Sequence, residues 1–394
     1  MTGTEVYASN GQAVLTQHEQ IVHGGSEYFK LLLQLIDRSE HCIHLQTYIF
    51  EEDETGKMLA SSLRSAAARG VEVYLLVDGY ASQSLSKNFI TELREAGIHF
   101  RFFEPLLKSR NFYFGRRMHH KVFVSDSACA LVGGINISNR YNDMPGTPAW
   151  LDFAFYTEGN PAKELCVLCW KTWNGFSSNT GIAPCEKNCF NFTGTARENS
   201  FVRMRRNDWV RTKNEISRTY QHMFRQAHTG ITIMCSYFLP GNSIRRLLGK
   251  ASARGVKIKV VTAGLSDVML AKHAERWLYD WLLRNKIEVY EYQPSVLHAK
   301  LAICDGHWFT IGSYNLNKIS AYASIELNLD VHQPAMARAA HEMVDKIIRE
   351  DCRLITMEGH LRSKNPFNQF IRWCSYQLIS IIFHLLTFYY KQRN

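Results

Sequence analysis

The sequence predicts an α/β protein built as two similar α/β sandwich halves from an internal duplication, with one site between them. Three observations carry this. The motif H-x-K-x4-D-x6-G-[GS]-x-N occurs twice, as His119, Lys121, Asp126, Gly133 and Asn136, and again as His298, Lys300, Asp305, Gly312 and Asn315. The run AAARGVEVYLLVDG, Ala66 to Gly79, resembles ASARGVKIKVVTAG, Ala251 to Gly264. Helix-like and strand-like stretches alternate through both halves, which favours helices layered on a mixed or parallel sheet. A chain of 394 residues, 46% hydrophobic and 21% charged, can bury two domain-sized cores. We divide it at 1–195, 196–360 and a C-terminal apolar segment, 361–394.

The elements follow in order. HLQTYIF, ending at Phe50, reads as a strand and has a weaker counterpart in MCSYFLP, ending at Pro240. Each Ala-rich run closes a helix at an Arg-Gly turn and enters a buried strand. LREAGIHFRFFEP, ending at Pro105, pairs with LLRNKIEVYEYQP, ending at Pro294. The offsets between copies are 185 residues for the Arg-Gly turns, 189 for the prolines and 179 for the histidines. The first half therefore carries about ten extra residues just before His119, in LLKSRNFYFGRRM. Lys108, Arg110, Arg116 and Arg117 lie there with Phe112, Tyr113 and Phe114. Basic and aromatic residues together fit a loop that meets a lipid or nucleic-acid backbone, or else a solvated loop with one packed face.

Val122 to Val124 favour a strand, on which residues two apart share a face. His119 and Lys121 thus point one way and His120 the other. The second copy has Ala299 where the first has His120, so His119 is the candidate. Asp126 falls in the turn before a second strand. Asp152, in LDFAFYTEGNP, and Glu326, in IELNLDVHQP, follow their motifs and can orient imidazoles. The polar stretch from Asn174 to Ser200 joins the halves and leads into the basic VRMRRNDWVR, read as a solvated edge strand.

The net charge of +10 favours anionic partners without choosing among nucleic acid, lipid and phosphorylated molecules. Ten scattered cysteines suit a reducing compartment. Cys166, Cys169, Cys185 and Cys189 approach a zinc spacing, but the first two are read as buried residues of a helix, AKELCVLCWKTW. No signal peptide is evident. The stretch YQLISIIFHLLTFYY, Tyr376 to Tyr390, is short for a spanning helix, which needs about 20 apolar residues. Its aromatic ends and basic flanks fit an interfacial or re-entrant membrane helix, or else a helix packed on the protein body or in a dimer.

Two His-Lys pairs suit phosphodiester chemistry. The anion repels nucleophiles, so a catalyst needs cations at the phosphoryl oxygens, a nucleophile and an acid for the departing alkoxide. Lys121 and Lys300 can neutralise the oxygens, and Asn136 and Asn315 can add neutral donors. One imidazole can attack phosphorus while the other begins protonated, which requires environments that push their pKa values apart. The scheme calls for no cofactor and no metal.

At these residues the chain resembles the phospholipase D superfamily, whose mark is a pair of HxKxxxxD motifs. The resemblance implies two α/β halves forming one metal-independent site and a phosphohistidine intermediate. It implies His119 as nucleophile, His298 as general acid/base, Lys121 and Lys300 as phosphate ligands, and Asp126 and Asp305 as supporting members of the catalytic motifs. Within the superfamily, FEEDETGK, FGRRMHHK, SYFLPG and LHAKLAICDGHWFTIGSYNLN resemble bacterial cardiolipin synthases of the B type, from about Gln17 to about Glu358. Gln46 departs from a carboxylate usual there, which bears on donor or acceptor preference. The resemblance implies transfer between two phosphatidylglycerol molecules at a bacterial cell membrane, by a peripheral or monotopic protein with a cytoplasmic body and no nucleic acid. A phospholipase D hydrolase, a nuclease or other phosphodiesterase, and a non-catalytic lipid-binding protein remain the competing readings. Oligomeric state is left open.

Overall fold

In the computed structural model, residues 18–105, 116–177, 181, 183, 201–362 and 365–386 are described. The first half contains strands β1 (Glu19–His23), β2 (Cys42–Thr47), β3 (Glu72–Asp78), β4 (His99–Phe103), β5 (Arg117–Met118), β6 (Lys121–Ser125), β7 (Cys129–Gly133) and β8 (Phe153–Glu158). Its helices are α1 (Ser26–Arg38), α2 (Glu54–Ala68), α3 (Lys87–Glu95) and α4 (Asn160–Trp173). The second half contains β9 (Val202–Asp208), β10 (Lys213–Asn214), β11 (Gly230–Cys235), β12 (Lys257–Leu265), β13 (Glu288–Val296), β14 (Lys300–Cys304), β15 (Trp308–Gly312), β16 (Ser324–Val331) and β17 (Cys352–Ile355). Its helices are α5 (Glu215–Gln226), α6 (Asn242–Ala253), α7 (Met269–Arg284), α8 (Lys318–Tyr322), α9 (Pro334–Asp351), α10 (Met357–Arg362) and α11 (Pro366–Leu386).

The duplication is written in the strand order. The first sheet runs β1-β8-β7-β6-β2-β3-β4 and the second runs β9-β16-β15-β14-β11-β12-β13, with β10 and β17 added at its ends. In both, the β2-β3-β4 or β11-β12-β13 triplet is parallel and the remaining pairs are antiparallel. The sheet is thus mixed, as the alternation of elements anticipated.

The recurrent Arg-Gly has a local cause. Gly70 and Gly255 turn the chain at φ 92° and 93°, a left-handed conformation that costs glycine little. Arg69 donates from Nη2 to the carbonyls of Ile36 and Asp37, at the C-terminal end of α1. Arg254 does the same for Phe224 and Ala227 at the end of α5. Each pair ends one helix and caps another, where unpaired carbonyls otherwise remain.

Each half has its own core on one side of its sheet, and the two sheets share a third core. In the shared core Val122, Val132 and Phe155 of the first half meet Leu301, Phe309 and Leu327 of the second. Phe155 and Phe309 make an edge-to-face pair with centroids 5.9 Å apart. The halves therefore bury each other's inner sheet faces, which fixes their mutual position by the same apolar burial that folds each of them.

Several expectations change here. The boundary at 195/196 lies outside the described residues, as do Lys108, Arg110, Phe112, Tyr113 and Phe114. Arg116, expected on a loop that meets a lipid or nucleic-acid backbone or is solvated with one packed face, is buried between Glu104 at 2.6 Å and Asp208 at 2.8 Å, clamping one half to the other. Of VRMRRNDWVR, Val202–Asp208 form β9, which pairs with β16 on one side and on the other meets the two-residue β10 only at Asn207 and Asp208, so the rest of it is an edge as read. Cys166 and Cys169 are buried on α4 as read. Cys166 is disulfide-bonded, while the seven other cysteines among the described residues are free thiols. Cys185 and Cys189 lie outside the described residues. The C-terminal helix begins at Pro366, ten residues before the apolar run suggested. Among the described residues no helix is long and apolar enough to cross a membrane.

Candidate active site

Two short backbone contacts build the site. β5 lies parallel to the start of β16, pairing Arg117 with Ser324 and Met118 with Ile325. His119 and His120 then both donate their N–H groups to the Ile325 carbonyl, at 3.0 and 3.1 Å. The mirror arrangement joins the end of β13 to the start of β8. Leu151 N–H donates to Val296 at 2.9 Å, and His298 N–H donates to Leu151 at 2.8 Å. Each histidine is therefore tied to the other half, one residue from that half's carboxylate.

The carboxylate pairing is crossed as a result. His119 Nδ1 lies 3.0 Å from Glu326, and His298 Nδ1 lies 2.6 Å from Asp152. With Nδ1–H donating to the carboxylate, each Nε2 is left with its lone pair. Both histidines line one cavity of about 700 Å³. His120 faces a separate cavity of about 430 Å³ on the other side. The alternation between His119 and His120 is thus as read, although both precede the strand that begins at Lys121.

The motif glycines make room for these pairs. A Cβ on Gly134 would stand 2.5 Å from an Asp152 carboxylate oxygen, and one on Gly312 would collide with the Leu327 carbonyl. At the position matching Gly134 the second copy has Ser313, whose hydroxyl donates to Glu326 at 2.5 Å. The shorter acid is paired with glycine and the longer one with serine.

The lysines sit beneath the histidines. Lys121 Nζ donates to the His119 carbonyl and lies 5.2 Å from the Tyr48 ring centroid. Lys300 Nζ donates to the His298 carbonyl and, at 3.1 Å, to Ser236 Oγ. Both are at most 3% exposed. Burial, reinforced by Lys300, pulls the Lys121 ammonium down to about 7, and burial lowers Lys300 as well. Burial also lowers His119, against the pull of Glu326, and lowers His298 further with help from Lys300 and Lys121. Asp152 is pushed up by burial to about 7. Against the expectation of imidazoles pushed apart in pKa, both shift downward, His298 further than His119. Burial is the larger cause, and the two buried lysines beside them add to it.

Asn136 and Asn315 line the cavity and use their side-chain oxygens on their own halves. Asn136 accepts from Ile49 N–H at 3.1 Å, and Asn315 accepts from the Cys235 thiol at 3.6 Å. The Asn136 side chain also hydrogen-bonds the Tyr141 hydroxyl. Asp126 and Asp305 do not reach the site. Asp126 accepts from the N–H groups of Glu40, His41 and Cys42, and Asp305 accepts from those of His228, Thr229 and Gly230. They pin the segments entering β2 and β11. Both also turn the hairpins with left-handed backbone, at φ 52° and 53°. Gln46 is likewise absent from the cavity: its amide donates to the Cys169 carbonyl at 2.7 Å, and its oxygen accepts from His120 at 2.8 Å.

The structure adds residues that sequence reading passed over. Tyr48 and Tyr237 line the cavity just after β2 and β11, though not at matching places: the strand registers set Tyr48 against Ser236 and Ile49 against Tyr237. Tyr48 stands edge-on to His119, with centroids 4.9 Å apart. Tyr141 stands edge-on to His298 at 5.1 Å, its hydroxyl 3.5 Å from Nε2. Arg117, Arg140 and Asp267 add charged groups to the lining, and Leu239, Leu270, Ile379 and Phe383 add apolar ones.

Comparison with known proteins agrees with this geometry. The family described as "Cardiolipin synthase, PLD-like domain" matches residues 32–145 and 220–348, more than half of the chain. Cardiolipin synthase B of Salmonella typhi is 34% identical over 344 residues, covering 85% of this chain and 81% of that protein. Cardiolipin synthase B of Escherichia coli K12 is 32% identical over the same length and shares. The crystal structure of phosphatidylserine synthase from Haemophilus influenzae Rd KW20 superposes with a TM-score of 0.71, covering 95% of this chain and 96% of that one, at 13% identity. At that identity it speaks for the fold alone.

Proposed function

The chain belongs to the cardiolipin synthase family of phospholipase D-like proteins, and on that premise we propose that it joins two phosphatidylglycerol molecules into cardiolipin and releases glycerol. The observation that carries this reading is the crossed site: two histidines from two halves, each oriented by the other half's carboxylate, in a cavity lined by both charged and apolar side chains.

The first phosphodiester lies over Lys121 and Lys300, with the Asn136 and Asn315 amides as further donors. Its negative charge offsets the repulsion between the lysines and raises both imidazoles, so that His298 can hold a proton. His119 Nε2 attacks phosphorus. The P–O bond to the headgroup glycerol breaks, and His298 protonates that oxygen as it leaves. The phosphatidyl group now rests on His119. The headgroup hydroxyl of the second phosphatidylglycerol gives its proton to His298 and attacks phosphorus, the P–N bond breaks, and His119 is restored. One phosphodiester is broken and one is made, so no nucleotide is consumed. Arg117 and Arg140 are placed to meet the acceptor's own phosphate.

The test is lipid mass spectrometry on the purified protein with phosphatidylglycerol vesicles. Cardiolipin and free glycerol in equal amounts are expected, and both vanish with His119→Ala. Phosphatidic acid alone would make water the acceptor. No lipid turnover would overturn the reading. The apolar wall favours lipid over nucleic acid as substrate, and the basic balance of the chain favours an anionic membrane surface as the place of work.

A further inference from the structure

Helix α11 lies outside both stretches matched by the family, yet it helps to build the catalytic cavity. It packs along α7, where Ile379 and Phe383 join Leu239, Ala271, Ala274 and Leu278 in one small core. Ile379, Ile382 and Phe383 also line the cavity that holds His119 and His298. A phosphate or a glycerol has no use for such a wall. The substrate part that gains from it is hydrocarbon.

The other side of α11 is apolar too. Phe370, Leu378, Ile381 and Leu385 recur at helical spacing and are 47–61% exposed. Beside them, Leu265, Val268 and Met269 stand exposed before and at the start of α7. Val268 is also a cavity residue, so the exposed patch runs into the cavity mouth. Single exposed apolar side chains need no explanation, but a row of them continuous with a lipid-sized cavity does.

We propose that α11 is the acyl-chain wall of the catalytic cavity and, on its opposite face, the surface that lies on an anionic bilayer. The proposal rests on the lipid-transfer reading above. It explains how a substrate chain can reach the histidines without crossing water: the mouth sits at the membrane surface, and the chain slides from bilayer to wall. The chain's net charge of +10 adds attraction to anionic lipid.

The full chain tests this in three ways. Trp373 is 43% exposed on α11, and its fluorescence should be quenched by vesicles of brominated phosphatidylglycerol. The triple variant Leu378→Glu, Ile381→Glu, Leu385→Glu should lose at least tenfold in vesicle co-sedimentation and in turnover of vesicle lipid, while keeping hydrolysis of soluble bis(p-nitrophenyl) phosphate. Phosphatidylglycerol with a diazirine in its acyl chain should label residues 378–385 on illumination. Wild-type vesicle binding by the triple variant, unquenched Trp373, or labelling confined to other segments would each overturn the proposal. The quenching and labelling readouts need no catalysis. A protein that binds and labels as expected but turns over no lipid would sink the transfer reading and leave the membrane helix standing.

Discussion

His119 and His120 are neighbours in sequence and opposites in environment. His119 reaches the catalytic cavity, while His120 is 1% exposed, donates to Gln46 and is held neutral, burial and Lys121 pulling it down to about 3. His119→Ala and His298→Ala should each lower turnover by about a thousandfold or more, because each removes a group that bonds or moves a proton. His120→Ala should instead cost about 1–3 kcal/mol of stability, from a cavity and an orphaned Gln46, with turnover per folded molecule within a few-fold of wild type. Thermal unfolding alongside initial rates separates the two effects, and a dead but fully stable His120→Ala would reverse the assignment. The motif aspartates belong to the structural class. Burial alone would raise Asp305, but the N–H groups of Gly230, His228 and Thr229 hold its carboxyl below the usual range. Asp126→Asn and Asp305→Asn should therefore each lower stability by about 2 kcal/mol and leave the active-site residues in place. The test is equal kcat in the folded fraction at 20 °C and a reduced unfolding temperature, whereas a large loss of kcat at unchanged stability would return these residues to the chemistry.

At the scale of elements, the hairpin of each motif is a device for bringing its carboxylate partner close. Gly134 leaves the space that Asp152 occupies. Gly134→Ala should displace that carboxylate from His298 Nδ1 and lower kcat by about tenfold to a hundredfold, as loss of a supporting hydrogen bond does. The reverse exchange in the second copy, Ser313→Gly, removes one donor from Glu326 and should cost less. Comparing kcat of the two variants, with circular dichroism to confirm folding, checks the asymmetry; equal losses would mean that the Gly/Ser difference has no bearing on the acids. Much of this was legible in sequence. The spacing of H-x-K-x4-D-x6-G repeated, and the strand order repeats with it. The choice of His119 over His120 followed from Ala299. What could not be read was the crossing. The path from β5 to β16 and from β13 to Leu151 is a contact between segments far apart in sequence, set by how two sheets bury their inner faces. Nor could Arg116 be told from Arg117 by sequence: one clamps the halves through Asp208 and the other faces the cavity, and only tertiary position separates them.

For the whole molecule, docking the halves forces like charges together in a dry place. Lys121 and Lys300 come from different halves; each ammonium lies at its own half's histidine and also lowers the other's. This opposes folding, and it leaves a pH signature whose sign can be worked out. In the unfolded chain Lys121 keeps its proton up to about 10.5; in the folded protein it gives it up at about 7. Between those values the unfolded state binds more protons, so this group's contribution to stability rises with pH across the window. Asp152 acts in the opposite sense. Raised from 3.8 to about 7, it binds more protons in the folded state, so its contribution falls as pH rises through that range. The two effects add to their largest cost near pH 7. Lys121→Met should therefore unfold at a temperature higher than wild type by about 5 °C at pH 7, and the gain should shrink toward pH 10. Asp152→Asn should show a gain that is largest at pH 7 and shrinks toward pH 4. Differential scanning calorimetry of the three proteins at pH 4, 7 and 10 measures both trends, and gains that do not vary with pH would mean that the buried charges carry no such penalty. In the proposed reaction a phosphodiester between the two lysines would offset this conflict by pairing one anion with both. On that reading the instability of the site is the counterpart of affinity for the reacting group, and both follow from the way one sheet, built twice, closes on itself.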